Sequence, residues 1–150
     1  MGTRSITRIQ VDGETLVAVY RQYDGYIDGQ GQDLANILKD RKIVNGITFG
    51  SENKVFNGPG CLAANIICEM KRKDNGDAGG VYINSVECDD EEFTYNVNVI
   101  TDENEGGWPL SYQDYPIVTV ICWGEKIFEG NSIEFYEFTQ KGDVYDDVDE

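Results

Sequence analysis

Between an apolar run and a helix-like one lies YRQYDGYIDGQGQDLANIL, residues 20–38. Its residue types suit anion chemistry. Glycines tolerate positive φ and close approach of the backbone. They run into a helix start, where free amides and the positive dipole end favour negative charge. Arg4, Arg8 and Arg21 can lie nearby on a hairpin. With Tyr23, Asp24, Tyr26, Gly29 and Gly31 they make a candidate ligand site for a phosphate or carboxylate. The spacing is G-x-x-x-G-x-G, neither a dinucleotide fingerprint nor a phosphate loop, and no Lys-Ser/Thr follows.

Metal and acid–base readings are poorer matches. Asp24, Asp28 and Gly29 fit positions one, five and six of a calcium loop, but Tyr26 and Ala35 stand where positions three and twelve need ligands. An enzyme built on Asp24, Asp28 and Asp33 with a divalent metal ranks last, because no spacing singles out paired carboxylates for proton transfer. The chain has no histidine, which removes the Ser-His-Asp, Cys-His and H-E-x-x-H arrangements. No cofactor is implied. The plainer reading of the stretch is a strand-to-helix connection whose tyrosines pack over a core. Trp108, Tyr112 and Tyr115 could line a groove, but aromatics ahead of a core strand usually pack.

The elements around this stretch follow from hydrophobic period. SITRIQV alternates from Arg8 onward, with Ile6 off the period, so a strand bends or begins after Ile6. DGE at 12–14 is a turn, and TLVAVYRQY is the return strand. Leu34, Ile37 and Leu38 predict a helix over 31–41; Pro59 and the closing Lys71-Arg72-Lys73 predict one over 59–73, apolar nearly all round and so deeply buried. Residues 43–60 read as loop with at most a short turn or strand, and 74–80 as a linker. From residue 81 the period is two, giving strands at 81–88, 92–100, 116–123, 126–129 and 132–138, with Gly124 placed for a type II′ turn. The expected fold is α+β: one domain over residues 1–140, an antiparallel β-sheet with about two helices packed on one face, then a flexible acidic tail, 141–150.

Charge is the strongest global signal. The net charge is −16, but residues 1–75 hold ten basic and nine acidic side chains, whereas 76–150 hold two basic and nineteen acidic. Such a field repels nucleic acid and attracts basic surfaces; it also serves solubility. Glu87, Asp89, Asp90, Glu91, Glu92, Asp102, Glu103 and Glu105 form the candidate acidic surface. No apolar run is long enough to span a membrane. The N-terminal residues lack an apolar h-region, and Ile6 stands where a myristoylation motif needs Ser or Thr. The expectation is a cytoplasmic protein. Cys61, Cys68, Cys88 and Cys122 form no C-x-x-C pair and are expected as packed, reduced thiols.

MGTRSIT together with YRQYDGYIDGQGQDLANIL resembles a family of uncharacterised small proteins of bacteriophages, prophages and bacteria. These begin Met-Gly-Thr-Arg and carry Tyr-x-x-Tyr-Asp-x-Tyr-x-x-Gly-x-Gly before a helix. The resemblance covers about the first 40 residues; Ile27 stands where the family often has proline. It implies a phage or mobile-element setting, with Thr3 and Arg4 beside the glycine stretch, and it supplies no catalytic residue. Two functional expectations follow. The first is a non-enzymatic phage-type accessory protein, a DNA-mimic-like inhibitor of a basic host or defence protein, in the host cytoplasm. The second is a binder that sequesters an anionic, nucleotide-like small molecule at the glycine stretch.

Overall fold

The computed structural model describes residues 2–45, 55–73, 80–84, 91–102 and 111–141. Its strands are β1 (Ser5–Val11), β2 (Glu14–Arg21), β3 (Lys42–Val44), β4 (Val55–Asn57), β5 (Val81–Asn84), β6 (Phe93–Val99), β7 (Thr101–Asp102), β8 (Ser111–Tyr112), β9 (Ile117–Cys122) and β10 (Glu125–Asn131). Its helices are α1 (Gln32–Leu38), α2 (Gly58–Lys73) and α3 (Ser132–Gln140), with a single π-helical turn at Ile27–Gly31 ahead of α1. The fold class is α+β, as the period change near residue 80 implies. Helix α2 matches its expected span closely, and the acidic tail lies outside the described residues apart from Lys141.

The six-stranded sheet has the order β10-β9-β6-β1-β2-β5. Four of its five pairings are antiparallel, but β1 and β6 run parallel, so the sheet is mixed and not purely antiparallel. A parallel pair needs a long crossover. The segment carrying β2, α1 and α2 supplies it, and no local sequence pattern reports that return. Two smaller pairs, β3 with β4 in parallel and β7 with β8, stand apart from the main sheet.

Side chains alternate across the sheet, and the two faces differ. Thr7, Ile9, Val19, Tyr95, Val97, Val118 and Val120 face the helices and are fully buried or nearly so. They meet Leu34, Leu38, Leu62, Ile66 and Phe135 in one core. Helix α2 is buried along one face only, through Leu62, Ala63, Ile66 and Met70, while Ala64 and Cys68 are exposed. Ile6 belongs to β1 after all. It points to the opposite face, on which no helix among the described residues packs; its row neighbours there are Tyr20 and Thr94, and it is fully buried.

Residues 132–138 form a helix, not the expected strand. Asn131 accepts the Glu134 amide at 2.9 Å and Glu134 Oε1 accepts the Asn131 amide at 2.8 Å, a reciprocal cap. Ser132, Phe135 and Thr139 then fall on one buried face at helical spacing. Both two-residue hairpins are type I′. Asp12 (φ 49°) and Gly13 (87°) close the first; Trp123 (50°) and Gly124 (80°) close the second. The II′ expectation fails because Gly124 is the second turn residue, not the first. Cys61 and Cys122 are half-buried against the core and Cys68 is exposed, so the thiols do not all pack; all three are unbridged, and Cys88 lies outside the described residues.

Candidate functional site

The glycine stretch is a joint tied at both ends. Tyr95 donates from its buried hydroxyl to the Gly25 carbonyl at 2.7 Å, and the Gly25 amide donates to the Thr3 carbonyl at 2.9 Å. A Cβ on Gly29 would sit 2.1 Å from the Asp24 carbonyl oxygen, so the close approach explains that glycine. The amides offered to an anion already have acceptors. Gly29 and Gly31 donate to the Tyr26 carbonyl at 3.0 and 3.3 Å, and Gln30 donates to the Asp24 carbonyl at 2.8 Å.

Gln30, fully buried, is the hub. Its Oε1 accepts from Arg21 Nη1 at 2.9 Å, and its Nε2 donates to Thr7 Oγ1 at 3.0 Å and to Met70 Sδ at 3.5 Å. Arg21 Nη1 also meets Asp33 Oδ2 at 2.7 Å, and its Nε donates to the Tyr23 carbonyl at 2.7 Å. Sequence reasoning missed Gln30; a lone glutamine between two glycines carries no local signal of burial.

The candidate ligand residues divide between two faces. Arg21, Gly29 and Gly31 lie on the helix side. Arg4 and Arg8 share the parity of Ile6 and lie on the helix-free face. Arg4 approaches Glu92 Oε1 at 3.6 Å through Nη2, and its backbone amide donates to Glu92 Oε2 at 2.6 Å. Tyr23 is exposed with its ring against the Gly2 backbone. Tyr26 donates from its hydroxyl to Asp24 Oδ1 at 3.1 Å. No group of three or more Cys, Asp or Glu side chains among the described residues could hold a metal ion.

Of the candidate acidic surface, Glu87, Asp89, Asp90, Glu103 and Glu105 lie outside the described residues. Glu91 is buried, Glu92 is engaged with Arg4, and Asp102 is exposed. The structure adds exposed carboxylates that the strand reading scattered: Glu125 and Glu129 on edge strand β10, and Glu134 and Glu137 on α3 beside it. Glu129 is held below its usual carboxylate range by the Lys126 ammonium, 2.9 Å away. Trp108 is outside the described residues; Tyr112 is half-buried against the core, and Tyr115 is half-buried too.

The helix-free face carries a row Tyr82–Tyr20–Ile6–Thr94–Ile121–Lys126. The Tyr20 and Tyr82 rings lie 4.9 Å apart. Burial, and then the neighbouring Tyr82, pushes the Tyr20 hydroxyl above its ordinary pKa. Beyond this row, the Phe93 amide donates to the Arg4 carbonyl at 3.3 Å and the Trp123 amide to the Glu92 carbonyl at 2.9 Å. On the helix side, shallow clefts of about 270 and 260 Å³ flank α1, lined by Lys39, Ile133 and Tyr136 and by Asn36, Arg41 and Glu69 respectively. In the first, Lys39 Nζ donates to the Tyr136 hydroxyl oxygen at 3.3 Å. No helix among the described residues is long and apolar enough to cross a membrane. No family model, curated protein or solved structure matches the chain.

Proposed function

We propose that the protein is a non-enzymatic binding protein whose acidic half docks on a basic host or defence protein, in the manner of a DNA mimic. One observation carries this reading. The strand order keeps β6, β9 and β10 contiguous, with α3 packed beside β10, so the exposed carboxylates of β10 and α3 share one edge of the sheet. The half with nineteen acidic and two basic side chains supplies these three adjacent strands and α3 at one edge of the sheet, and the short β5 at the other. Along the β10 edge Glu125, Glu129 and Glu137 are exposed, and Lys126 is already paired with Glu129. A partner with clustered Lys and Arg meets a complementary field there. The phage-type setting rests on the resemblance of the first 40 residues alone. The glycine stretch supports capture of a small anion less well, because its amides and Arg21 already have protein partners.

The test is capture of host proteins on the immobilised chain at two salt concentrations, with duplex DNA as competitor. The expected result is a basic partner that is lost steeply between about 50 and 200 mM salt. DNA should displace it, and a Glu125→Gln, Glu129→Gln, Glu137→Gln triple variant should bind it more weakly. A partner held equally at both salt concentrations and by the triple variant would overturn the proposal.

A further inference from the structure

The same tight turn occurs twice in this chain, with different residues at its first position. A type I′ turn needs positive φ at both central residues and is best served by Asn-Gly or Asp-Gly. The β1–β2 hairpin follows the rule with Asp12-Gly13, whereas the β9–β10 hairpin has Trp123-Gly124. Among the described residues, four other than glycine have positive φ: Asp12, Asp24, Asp40 and Trp123. Aspartate tolerates that region because its short side chain hydrogen-bonds locally. A bulky aromatic there is strained.

Among the described residues, no side-chain contact compensates Trp123 for that strain. Its relative exposure is 68%, the highest among the exposed large hydrophobic residues. Its side chain makes no ring or cation contact among the described residues. Yet the stalk is rigid. The Trp123 amide donates to the Glu92 carbonyl, and the flanking Cys122 and Glu125 pair across the hairpin. A large, two-torsion, amphipathic ring is thus held out at the tip of the β9–β10 hairpin on a fixed backbone. Those are the properties of an interface anchor.

We infer that Trp123 is the anchor of a protein–protein interface and stacks on an arginine of a basic partner surface. The inference rests on the acidic-docking reading above and names the residue at its centre. The surroundings set the partner's chemistry. Glu125, two residues on, is exposed and is not among the described ion pairs, and the hairpin's own cation, Lys126, already pairs with Glu129. An arginine satisfies both features at once: its guanidinium plane lies on the indole while its N–H groups reach a carboxylate. Lysine has no such plane.

The test uses the full chain, fluorescein-labelled nona-arginine and nona-lysine peptides, and anisotropy titrations at low and physiological salt. Wild type is expected to bind nona-arginine more tightly than nona-lysine. Trp123→Asn should weaken nona-arginine about fivefold, the loss of one cation–π contact, while barely changing nona-lysine. Trp123→Phe should fall between. The same Trp123→Asn protein should melt at a higher temperature than wild type, since asparagine suits the turn. A purely structural tryptophan would move the melt the other way, and a lower melting temperature overturns the inference. Equal nona-arginine affinity for wild type and Trp123→Asn also overturns it, but leaves acidic docking standing. Failure of wild type to bind either peptide at low salt overturns both.

Discussion

Replacing Arg21 with methionine tests whether the glycine stretch is a joint or a site. Methionine keeps most of the aliphatic stem and removes the guanidinium. The charge of Arg21 is shared among Asp33 Oδ2 at 2.7 Å, Gln30 Oε1 at 2.9 Å and the Tyr23 carbonyl at 2.7 Å. Both ion-pair side chains are only 18% exposed. A hydrogen bond to a charged group contributes about 1.5–3 kcal/mol net. Removing one member of a fully buried pair costs about 3–5 kcal/mol. Residual solvent access to Asp33 lowers that figure, while the fully buried Gln30 carbonyl left without its donor raises it. The expected loss is therefore about 2–4 kcal/mol. At roughly 2–4 °C per kcal/mol for a chain of this size, the melting temperature should fall by about 4–16 °C. Urea denaturation with an unchanged slope is the assay. Arg21→Lys should recover only part of the loss, because one ammonium cannot reach three divergent acceptors. A loss under about 0.5 kcal/mol would refute the reasoning. It would also return Arg21 to the pool of groups available to a ligand.

Three more outcomes are expected. Tyr95→Phe should destabilise by about 1–2 kcal/mol in the same assay, because the buried Gly25 carbonyl loses its donor at 2.7 Å. Gly29→Ala should cost about 2 kcal/mol or more, since its Cβ would lie 2.1 Å from a backbone oxygen that is fixed by its own bond from Gln30; wild-type stability would remove that account of the glycine. Asp12 has its pKa lowered by Thr101, whose hydroxyl and amide donate to it at 2.6 and 3.0 Å. Its folded pKa lies below its unfolded one, so its contribution is complete above the unfolded value and is lost as pH falls through the folded one. Urea midpoints from about pH 6 down to pH 2 should therefore fall less for Asp12→Asn than for wild type, and parallel curves would count against the linkage.

Local pattern carried the strands and two of the helices, and failed where non-local pairing decided. Val97, Val99, Val118 and Val120 alternate as half-buried strands should. The parallel pairing of β1 with β6 left no local trace, because it depends on where the chain returns after α2. Residues 132–138 were ambiguous in period: Ile133, Phe135 and the polar residues between them alternate, while Ser132, Phe135 and Thr139 share a helical face. The deciding sign was Asn131 followed three residues later by Glu134, a capping box that strand periodicity does not weigh. In the glycine stretch the residue types were read correctly as permitting close approach. What approaches Gly29, however, is the chain's own Asp24 carbonyl, and a fully buried glutamine takes the place in the arginine's shell that a ligand would have filled.

The division of charge between faces and edges follows from the same topology. Parallel placement of β6 beside β1 sets the first long strand of the acidic half beside the first strand of the other, and Arg4 meets Glu92 at that seam. On the N-terminal side, Arg21 is paired with Asp33 and Arg72 with Glu69. The basic half thus neutralises much of its own charge through contacts that fix the fold. The acidic half has two cations in all, and one of them, Lys126, is held by Glu129. Among the described residues, Glu125 and Glu137 face solvent near that pair. Stability alone does not call for exposed carboxylates gathered on β10 and α3, since like charges close together repel one another. A tryptophan strained and exposed beside them is likewise unexplained by stability. Two features that each disfavour the isolated fold lie at one corner of it, where a cationic partner surface would relieve the repulsion and cover the ring together.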